Sequence, residues 1–258
     1  MIRRTLLLSL PALLCAPALL RAQTAPVIAA ASALQFVLPL LAADFTAQTG
    51  TAVALTFGST GNFATQIRQG APFQLFLAAD ESFVADLASA GFTRDAGALY
   101  GLGRIALIVP HGGPLQADGD LDDLVAGLGD GRVTRFSIAN PDHAPYGLRA
   151  KQALQHKGIW DAIQPALVLG ENVSQAAQFA TSGNAQGGII AYALALAPQV
   201  AALGTSGLIP AAWHSPLRQR MVLLRGAGAV AQAFYDYLQT DPARARFAAA
   251  GFTLPEAG

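Results

Sequence analysis

Residues 135–156 read RFSIANPDHAPYGLRAKQALQH, and this stretch shows the pattern on which the whole chain is built. Its first part, Arg135 to Ala139, reads as a strand. The middle, Asn140 to Gly147, is rich in residues that favour turns. From about Tyr146 to His156 the sequence predicts a helix, and Gly158 supplies its stop. The stretch therefore predicts a strand, a turn and a helix in direct succession.

The same succession recurs along the chain. Further strands are predicted at Val27–Ala31, Thr51–Phe57, Phe73–Ala78, Arg104–Val109, Ala166–Leu169, Gly188–Tyr192 and Met221–Leu224. Further helices are predicted from Leu34 to Gly50, at Thr60–Gln69, from Asp80 to Ser89, from Asn172 or Ser174 to Gly183, at Ala227–Gln239 and at Pro242–Ala250. Pro39, inside the first of these helices, predicts either a kink or an early turn. Alternating strands and helices are typical of parallel sheets with helices on both faces.

Several separated strand–helix sets in 258 residues predict an α/β fold with two lobes. We expect residues 26–102 together with 221–258 to form the first lobe, and 103–220 to form the second. The crossings between lobes are expected near Leu102–Ile105 and Arg218–Met221.

The composition excludes several classes of protein. Apolar residues make up 53% of the chain, charged residues only 12%, and the formal net charge is zero. A disordered chain would be more polar, and a nucleic-acid-binding chain would carry a basic stripe. We therefore expect a folded protein without a nucleic-acid partner.

The N-terminus has the features of an export signal. Arg3 and Arg4 precede an apolar run from Leu6 to Leu20, and Ala22 offers a small residue for cleavage. We expect residues 1–22 to be a signal peptide, of the ordinary secretory kind or of the twin-arginine kind that the paired arginines resemble. The protein is then expected to be periplasmic.

The single cysteine, Cys15, lies within this signal. Cleavage would leave a chain without cysteine, so neither disulfides nor thiol chemistry is expected in the mature protein.

Four strand-to-helix turns lack Lys and Arg and contain small or hydroxyl-bearing residues. They are 29–33 (AAASA), 57–61 (FGSTG), 140–147 (NPDHAPYG) and 170–174 (GENVS). In open α/β sheets ligands bind outside the carboxyl ends of the strands, where helices begin. A helix N-terminus offers unpaired N–H groups and a partial positive charge, which suit an anion. The turns therefore predict a site that neutralises an anion with uncharged donors, although each turn alone is more typical of helix capping.

These segments together resemble the periplasmic molybdate-binding proteins of ABC transporters, from about Val27 to the C-terminus. The similar stretches are 30–34 (AASAL), 58–61 (GSTG) with Gln66-Ile67 and 70–72 (GAP), 76–81 (FLAADE), 140–147, 171–176 (ENVSQA) and 234–238 (FYDYL). The resemblance implies a two-lobed periplasmic-binding-protein fold of type II, with a mostly parallel sheet in each lobe and the ligand cleft between lobes.

The resemblance also implies the site residues. Ser32 and Thr60 would each give a hydroxyl and a backbone N–H, with Ser59 as the near alternative to Thr60. Val173 would give a backbone N–H, and Tyr146 its phenol. Ala33 could add only its amide.

One branch of the family instead has a small residue in the 145–147 loop and a ligand tyrosine after the strand at Gly188. That position falls on Ala191 here, beside Tyr192, which would point to the other face of a strand. We therefore predict Tyr146, and not Tyr192, as the ligand.

The implied function is capture of molybdate or tungstate and delivery to the permease and ATPase subunits of an ABC transporter. We expect a monomer, not an enzyme, with no cofactor and no direct metal-ion ligands.

Several alternatives remain open at this stage. The ligand could be sulfate or another oxyanion of the same shape. Phosphate is disfavoured, because its proton would need an acceptor carboxylate. An enzyme built on Ser59 and His143 would be a serine hydrolase, and Asp142 with His143 could form an acid–base or metal-ligand pair. Related two-lobed domains also serve as effector sensors of transcription factors, against which the export signal argues.

Overall fold

The computed structural model describes residues 24–254. The predicted signal peptide and Cys15 therefore lie outside the described residues. Within residues 24–254, no helix is long and apolar enough to cross a membrane.

The described chain alternates strands with helices over most of its length. The strands are β1 Val27–Ala31, β2 Ala54–Gly58, β3 Phe73–Ala78, β4 Ala98–Gly103, β5 Ile105–Pro110, β6 Phe136–Ala139, β7 Leu167–Gly170, β8 Gly188–Ala191, β9 Gly204–Leu208 and β10 Leu217–Leu223. The helices are α1 Val37–Thr49, α2 Thr60–Arg68, α3 Glu81–Ser89, α4 Asp122–Gly129, α5 Pro145–His156, α6 Trp160–Ile163, α7 Val173–Thr181, α8 Tyr192–Ala195, α9 Pro198–Ala201, α10 Ala229–Tyr237 and α11 Asp241–Ala249. Short 3₁₀ turns lie at Ser32–Leu34, Gln164–Ala166 and Ala211–Trp213.

The strands form two five-stranded sheets with the same plan. The first has the order β2-β1-β3-β10-β4, and the second has the order β7-β6-β8-β5-β9. In the first sheet β1 runs parallel to β2 and β3, while β10 is antiparallel to both of its neighbours. In the second, β6 runs parallel to β7 and β8, and β5 is antiparallel to both of its neighbours. The expected two-lobed α/β fold is confirmed, with one antiparallel strand in each mostly parallel sheet.

In each sheet, the antiparallel strand is the first one that the chain forms after it crosses from the other lobe. β4 ends in the first sheet at Gly103, and after Arg104 the chain continues as β5 in the second. It returns when β10 begins at Leu217, which pairs with Gly103. The expected boundary after residue 220 therefore moves to Leu217. Nothing in the composition of residues 217–220 marks them as part of the first lobe. Only their pairing with β4 and β3 assigns them to it.

Two strands of the structure were absent from the sequence prediction. β4 (ALYGLG) and β9 (GTSGL) are rich in glycine, which has little intrinsic preference for strands. Both run along sheet edges, where the neighbouring strand supplies the order that the local sequence does not.

Helix α1 shows how Pro39 is accommodated. The helix begins at Val37, so Pro39 lies in its first turn, where a missing N–H breaks no intrahelical hydrogen bond. The early turn is thus the correct alternative. At the other end Gly50 adopts φ 70°, a left-handed conformation that ends the helix.

Apolar side chains cover both faces of each sheet. In the first lobe, Ile28 and Leu75 face α1 and the C-terminal helices, whereas Phe76 faces α2 and α3. In the second lobe Phe136 and Ile138 are buried on one face of β6, and Ser137 and Ala139 are buried on the other. Such double-sided burial is what the uninterrupted apolar strands predict.

Close packing of α5 on β6 depends on Gly147. A Cβ atom at this position would lie 2.1 Å from the carbonyl oxygen of Ala139, a backbone atom at the end of β6. We expect Gly147→Ala to lower the free energy of unfolding by about 1–3 kcal/mol, as overpacked sites do. Chemical denaturation measures the change.

Gly129→Ala is the matched control, because Gly129 also lies in a helix and nothing lies within 4 Å of its added Cβ. It should leave stability unchanged or raise it slightly. Equal stabilities of the two variants would contradict this account of Gly147.

Candidate functional site

The predicted site loops meet in a small cavity between the two lobes. Its walls are residues 31–33 at the end of β1, 58–60 between β2 and α2, Ala79 after β3, 144–146 at the start of α5, and 172–173 at the start of α7. Its volume, taken as the space open to the centre of a water molecule, is about 10 Å³. That is room for one small group, and not for an extended organic molecule.

Three helices begin at the wall of this cavity. α2 begins at Thr60, α5 at Pro145 and α7 at Val173, and all three residues line the wall. First-turn N–H groups have no partner within their own helix, and together they give a helix start a partial positive charge. None of the residues that line the wall, within the described chain, carries an ionisable acid or base other than the phenol of Tyr146. The helix starts thus give the cavity wall partial positive charge, although no Lys, Arg or His side chain lines it.

Of the hydroxyl groups that line the cavity, those of Ser32, Thr60 and Tyr146 each accept a hydrogen bond from an N–H group. The Ala79 N–H donates to Thr60 Oγ1 at 3.0 Å. Gln219 Nε2 donates to the Tyr146 phenol oxygen at 2.7 Å. The Ser174 N–H lies 3.4 Å from Ser32 Oγ, a longer contact that it shares with the Asn172 side chain. Since a hydroxyl has a single proton, each of these three keeps its proton for another acceptor.

Burial keeps the tyrosine protonated. It raises the pKa of Tyr146 above its ordinary value, although the hydrogen bond with Gln219 acts in the opposite direction. Burial also raises the pKa of Tyr100, whose hydroxyl lies on the other side of Gln219. Both phenols therefore remain neutral donors.

Ser59 also lines the cavity, but its hydroxyl is used within the protein. Its Oγ lies 2.6 Å from the carbonyl oxygen of His143 and 2.8 Å from His143 Nδ1. A carbonyl oxygen can only accept, so Ser59 is the donor of the shorter bond. Of the two candidates in this loop, the geometry leaves only the Thr60 proton free.

His143 joins the lobes through its backbone. Its carbonyl oxygen also accepts the Gly61 N–H at 2.9 Å, and a Cβ at Gly61 would lie 2.7 Å from that oxygen. The His143 ring lies 3.7 Å from Glu171, whose carboxylate accepts from Asn62 of the other lobe. Glu171 is thus directed away from the cavity, and no group of three or more His, Cys, Asp or Glu in residues 24–254 could hold a metal ion.

Further contacts between the lobes show that they are closed. The Ser174 hydroxyl donates to the carbonyl oxygen of Ser32 at 2.9 Å. Arg149 of α5 forms a buried ion pair with Asp80, the N-cap of α3. With the contacts at Ser59, these bonds surround the cavity on several sides.

Of the remaining predicted or considered residues, Ala33 and Val173 lie at the cavity and Tyr192 does not. Ala33 and Val173 line the cavity and can offer only backbone N–H groups. Tyr192 begins α8 and does not belong to the wall that the structure shows.

Sequence reasoning missed Gln219 and Tyr100. Gln219 lies in β10, where Leu217, Gln219 and Met221 are fully buried and alternate with charged residues. A glutamine on the buried face of an alternating strand was the signal that could have revealed it.

Comparison with known proteins supports these observations. Residues 26–253 match the family described as bacterial extracellular solute-binding protein. The molybdate-binding protein ModA of Azotobacter vinelandii is 35% identical over 238 residues, covering 90% of this chain and 92% of the relative. The ModA of Rhodobacter capsulatus is 34% identical over 206 residues, covering 79% of this chain and 78% of the relative.

A solved structure shares the fold. The periplasmic molybdate-binding protein of Azotobacter vinelandii superposes with a TM-score of 0.79 at 30% identity, covering 90% of this chain and 100% of that one.

The start of α7 at the cavity depends on the Asn172 cap. Its side-chain oxygen accepts from the N–H groups of Ser174 and Gln175 at 3.0 and 3.1 Å. We expect Asn172→Ala to lower the free energy of unfolding by about 0.5–2 kcal/mol, as losses of N-caps do. Asn184→Ala, which changes an exposed asparagine that bonds Ser182, should change it by less than about 0.5 kcal/mol. Urea denaturation of both variants measures the difference, and equal effects would contradict the capping role.

Proposed function

This chain belongs to the family of bacterial extracellular solute-binding proteins, and we propose that it captures molybdate or tungstate between its lobes and delivers the anion to an ABC transporter. The observation that carries the proposal is the set of three cavity hydroxyls, each with an occupied oxygen and an unused proton. The family membership and the two molybdate-binding relatives support the same assignment.

We assign the donors from their hydrogen bonds. Ser32, Thr60 and Tyr146 give their hydroxyl protons to the anion, and Ala33 and Val173 give backbone N–H groups. A dehydrated oxyanion needs many donors, and neutral ones suffice where helix N-termini add partial positive charge. A four-oxygen anion is larger than one water molecule, so the loops must move apart slightly to hold it.

The anion would favour the closed arrangement of the lobes. Thr60 belongs to the first lobe, whereas Tyr146 and Val173 belong to the second, so an open protein offers only some of the donors. A ligand shifts a conformational equilibrium by its difference in affinity for the two states. We propose that the closed, loaded monomer is the form that the permease and ATPase subunits recognise in the periplasm.

The serine hydrolase alternative has one supporting contact, the 2.8 Å distance between Ser59 Oγ and His143 Nδ1. One feature argues against it. The Ser59 proton is directed to the carbonyl oxygen of His143, which cannot act as a general base, so the serine is not activated as a nucleophile. The contact is better explained as a bond that holds the lobes together.

Calorimetric titration of the protein beginning at Gln23 tests the proposal directly. We expect one-to-one binding of molybdate and tungstate, much weaker binding of sulfate, and the weakest binding of phosphate, whose proton needs an acceptor. Tight sulfate binding would change the ligand and keep the mechanism. Absence of binding for all four anions would falsify the proposed function.

Single substitutions test the assigned donors. Thr60→Val and Tyr146→Phe each remove one hydroxyl, and we expect molybdate binding to weaken by about 1.5–3 kcal/mol in each, the usual contribution of a hydrogen bond to a charged group. Ser59→Ala is the control from the same loop. It removes a neutral bond between lobes and should weaken binding by less than about 1 kcal/mol. A larger effect at Ser59 than at Thr60 would reverse the assignment.

A further inference from the structure

A buried side chain connects the proposed anion site to the strands that join the lobes. Gln219 of β10 is fully buried between two tyrosines. Its Nε2 lies 2.7 Å from the Tyr146 phenol oxygen, and its Oε1 lies 2.7 Å from the Tyr100 phenol oxygen. Tyr100 is also 3.0 Å from the carbonyl oxygen of Ala78. The two tyrosines and the glutamine thus form one hydrogen-bonded row that leads from β3 to the cavity.

The chemistry of the amide gives this row a direction. A glutamine side chain has a donor end and an acceptor end, so it cannot treat its two neighbours alike. The Tyr100 hydroxyl faces two acceptors, Gln219 Oε1 and the Ala78 carbonyl, and therefore donates. At the other end Tyr146 accepts from Nε2, so its own proton must be donated elsewhere.

The opposite orientation of the amide would reverse this outcome. Oε1 would then take the Tyr146 proton, and the phenol would present its lone pairs to an anion in the cavity. Because Gln219 and Tyr146 are both buried, water cannot readily supply a substitute partner to either. The amide orientation thus decides whether Tyr146 attracts or repels the anion.

The backbone of β4 packs closely against Gln219 and Tyr146. Gly103, the last residue of β4, lies so close that an added Cβ would be 2.3 Å from Gln219 Nε2 and 2.5 Å from the Tyr146 phenol oxygen. This packing holds the two groups against the strand that leads into the other lobe.

We propose that Gln219 is a positioning residue that holds Tyr146 as a hydrogen-bond donor and so makes the site selective for oxyanions that carry no proton. The proposal rests on the proposed function. A protonated oxyanion such as hydrogen phosphate has a proton of its own to donate. When Tyr146 also points its proton into the cavity, the two donors face each other and neither finds an acceptor.

Gln219→Glu is the decisive variant, because it keeps the shape and removes the donor end. The introduced carboxylate accepts from both tyrosines and draws the Tyr146 proton away from the cavity. We expect molybdate affinity to fall by about 10- to 100-fold, the range for one hydrogen bond to a charged group. Phosphate affinity should fall by much less, so the ratio of the two dissociation constants shrinks at least several-fold.

Gln152→Glu is the matched control. It adds the same charge to α5 of the second lobe, where Gln152 Oε1 accepts from the Ser215 N–H, a bond that a carboxylate can also make. Gln152 does not line the cavity, and both affinities should stay within about threefold of the parent.

A second variant tests the same role without introducing a buried charge, which could prevent Gln219→Glu from folding. Gln219→Met keeps the volume without charge and should weaken molybdate binding about 3- to 10-fold in the parent. In a Tyr146→Phe background it should have no further effect beyond about twofold, since Gln219 acts through the lost hydroxyl. Thermal unfolding of each variant verifies that the protein is folded.

The outcomes separate this inference from the function on which it rests. If the parent binds molybdate and Gln219→Glu binds it within about threefold, the inference is wrong and the function stands. Equal weakening of molybdate and phosphate, or additive effects of Gln219→Met and Tyr146→Phe, would also overturn it. If the parent binds none of the anions, function and inference fail together.

Discussion

Hydrogen bonds from N–H groups to the hydroxyl oxygens of the cavity are the constraint on which the site depends. A hydroxyl can accept as well as donate, and a site for a bare anion needs it only to donate. The Ala79 N–H donates to the Thr60 hydroxyl oxygen, and the Gln219 amide donates to the Tyr146 phenol oxygen. Each hydroxyl therefore accepts within the protein and keeps its proton for the cavity. Both donors are buried, so in the closed lobes the two hydroxyls are held as hydrogen-bond donors, and no charged side chain lines the cavity.

The fold makes this arrangement available by repeating one plan. Each lobe has the same strand order with one antiparallel strand, and in each the carboxyl ends of parallel strands face the cleft. Helices that follow those strands therefore begin at the cavity from both sides. The Gly61 N–H and the Ser59 hydroxyl then reach the His143 carbonyl across the cleft, a contact that leaves no room for a side chain at Gly61. The same loops thus line the cavity and hold the lobes together.

Much of this could be predicted because the signals are local. β1 falls within the predicted bounds, since Val27–Ala31 is an uninterrupted apolar run. Asp80 caps α3 as expected, because its side chain can reach only the N–H groups next to it. Thr60 and Tyr146 also lie at helix starts as predicted, and the resemblance to molybdate-binding proteins predicted that their loops lie together. The glycine-rich strands β4 and β9 escaped prediction, because their order comes from neighbouring strands.

The sequence by itself determined the alternation of strands and helices, the family and the loops that meet at the cleft, since each depends on residues close together in the chain. Only the tertiary structure decided between Ser59 and Thr60 as a free donor, because the choice depends on His143, more than 80 residues away. It alone placed Leu217 in the first sheet and Gln219 between two tyrosines. Those facts depend on pairing and hydrogen bonds between distant segments, for which a single sequence contains no local signal.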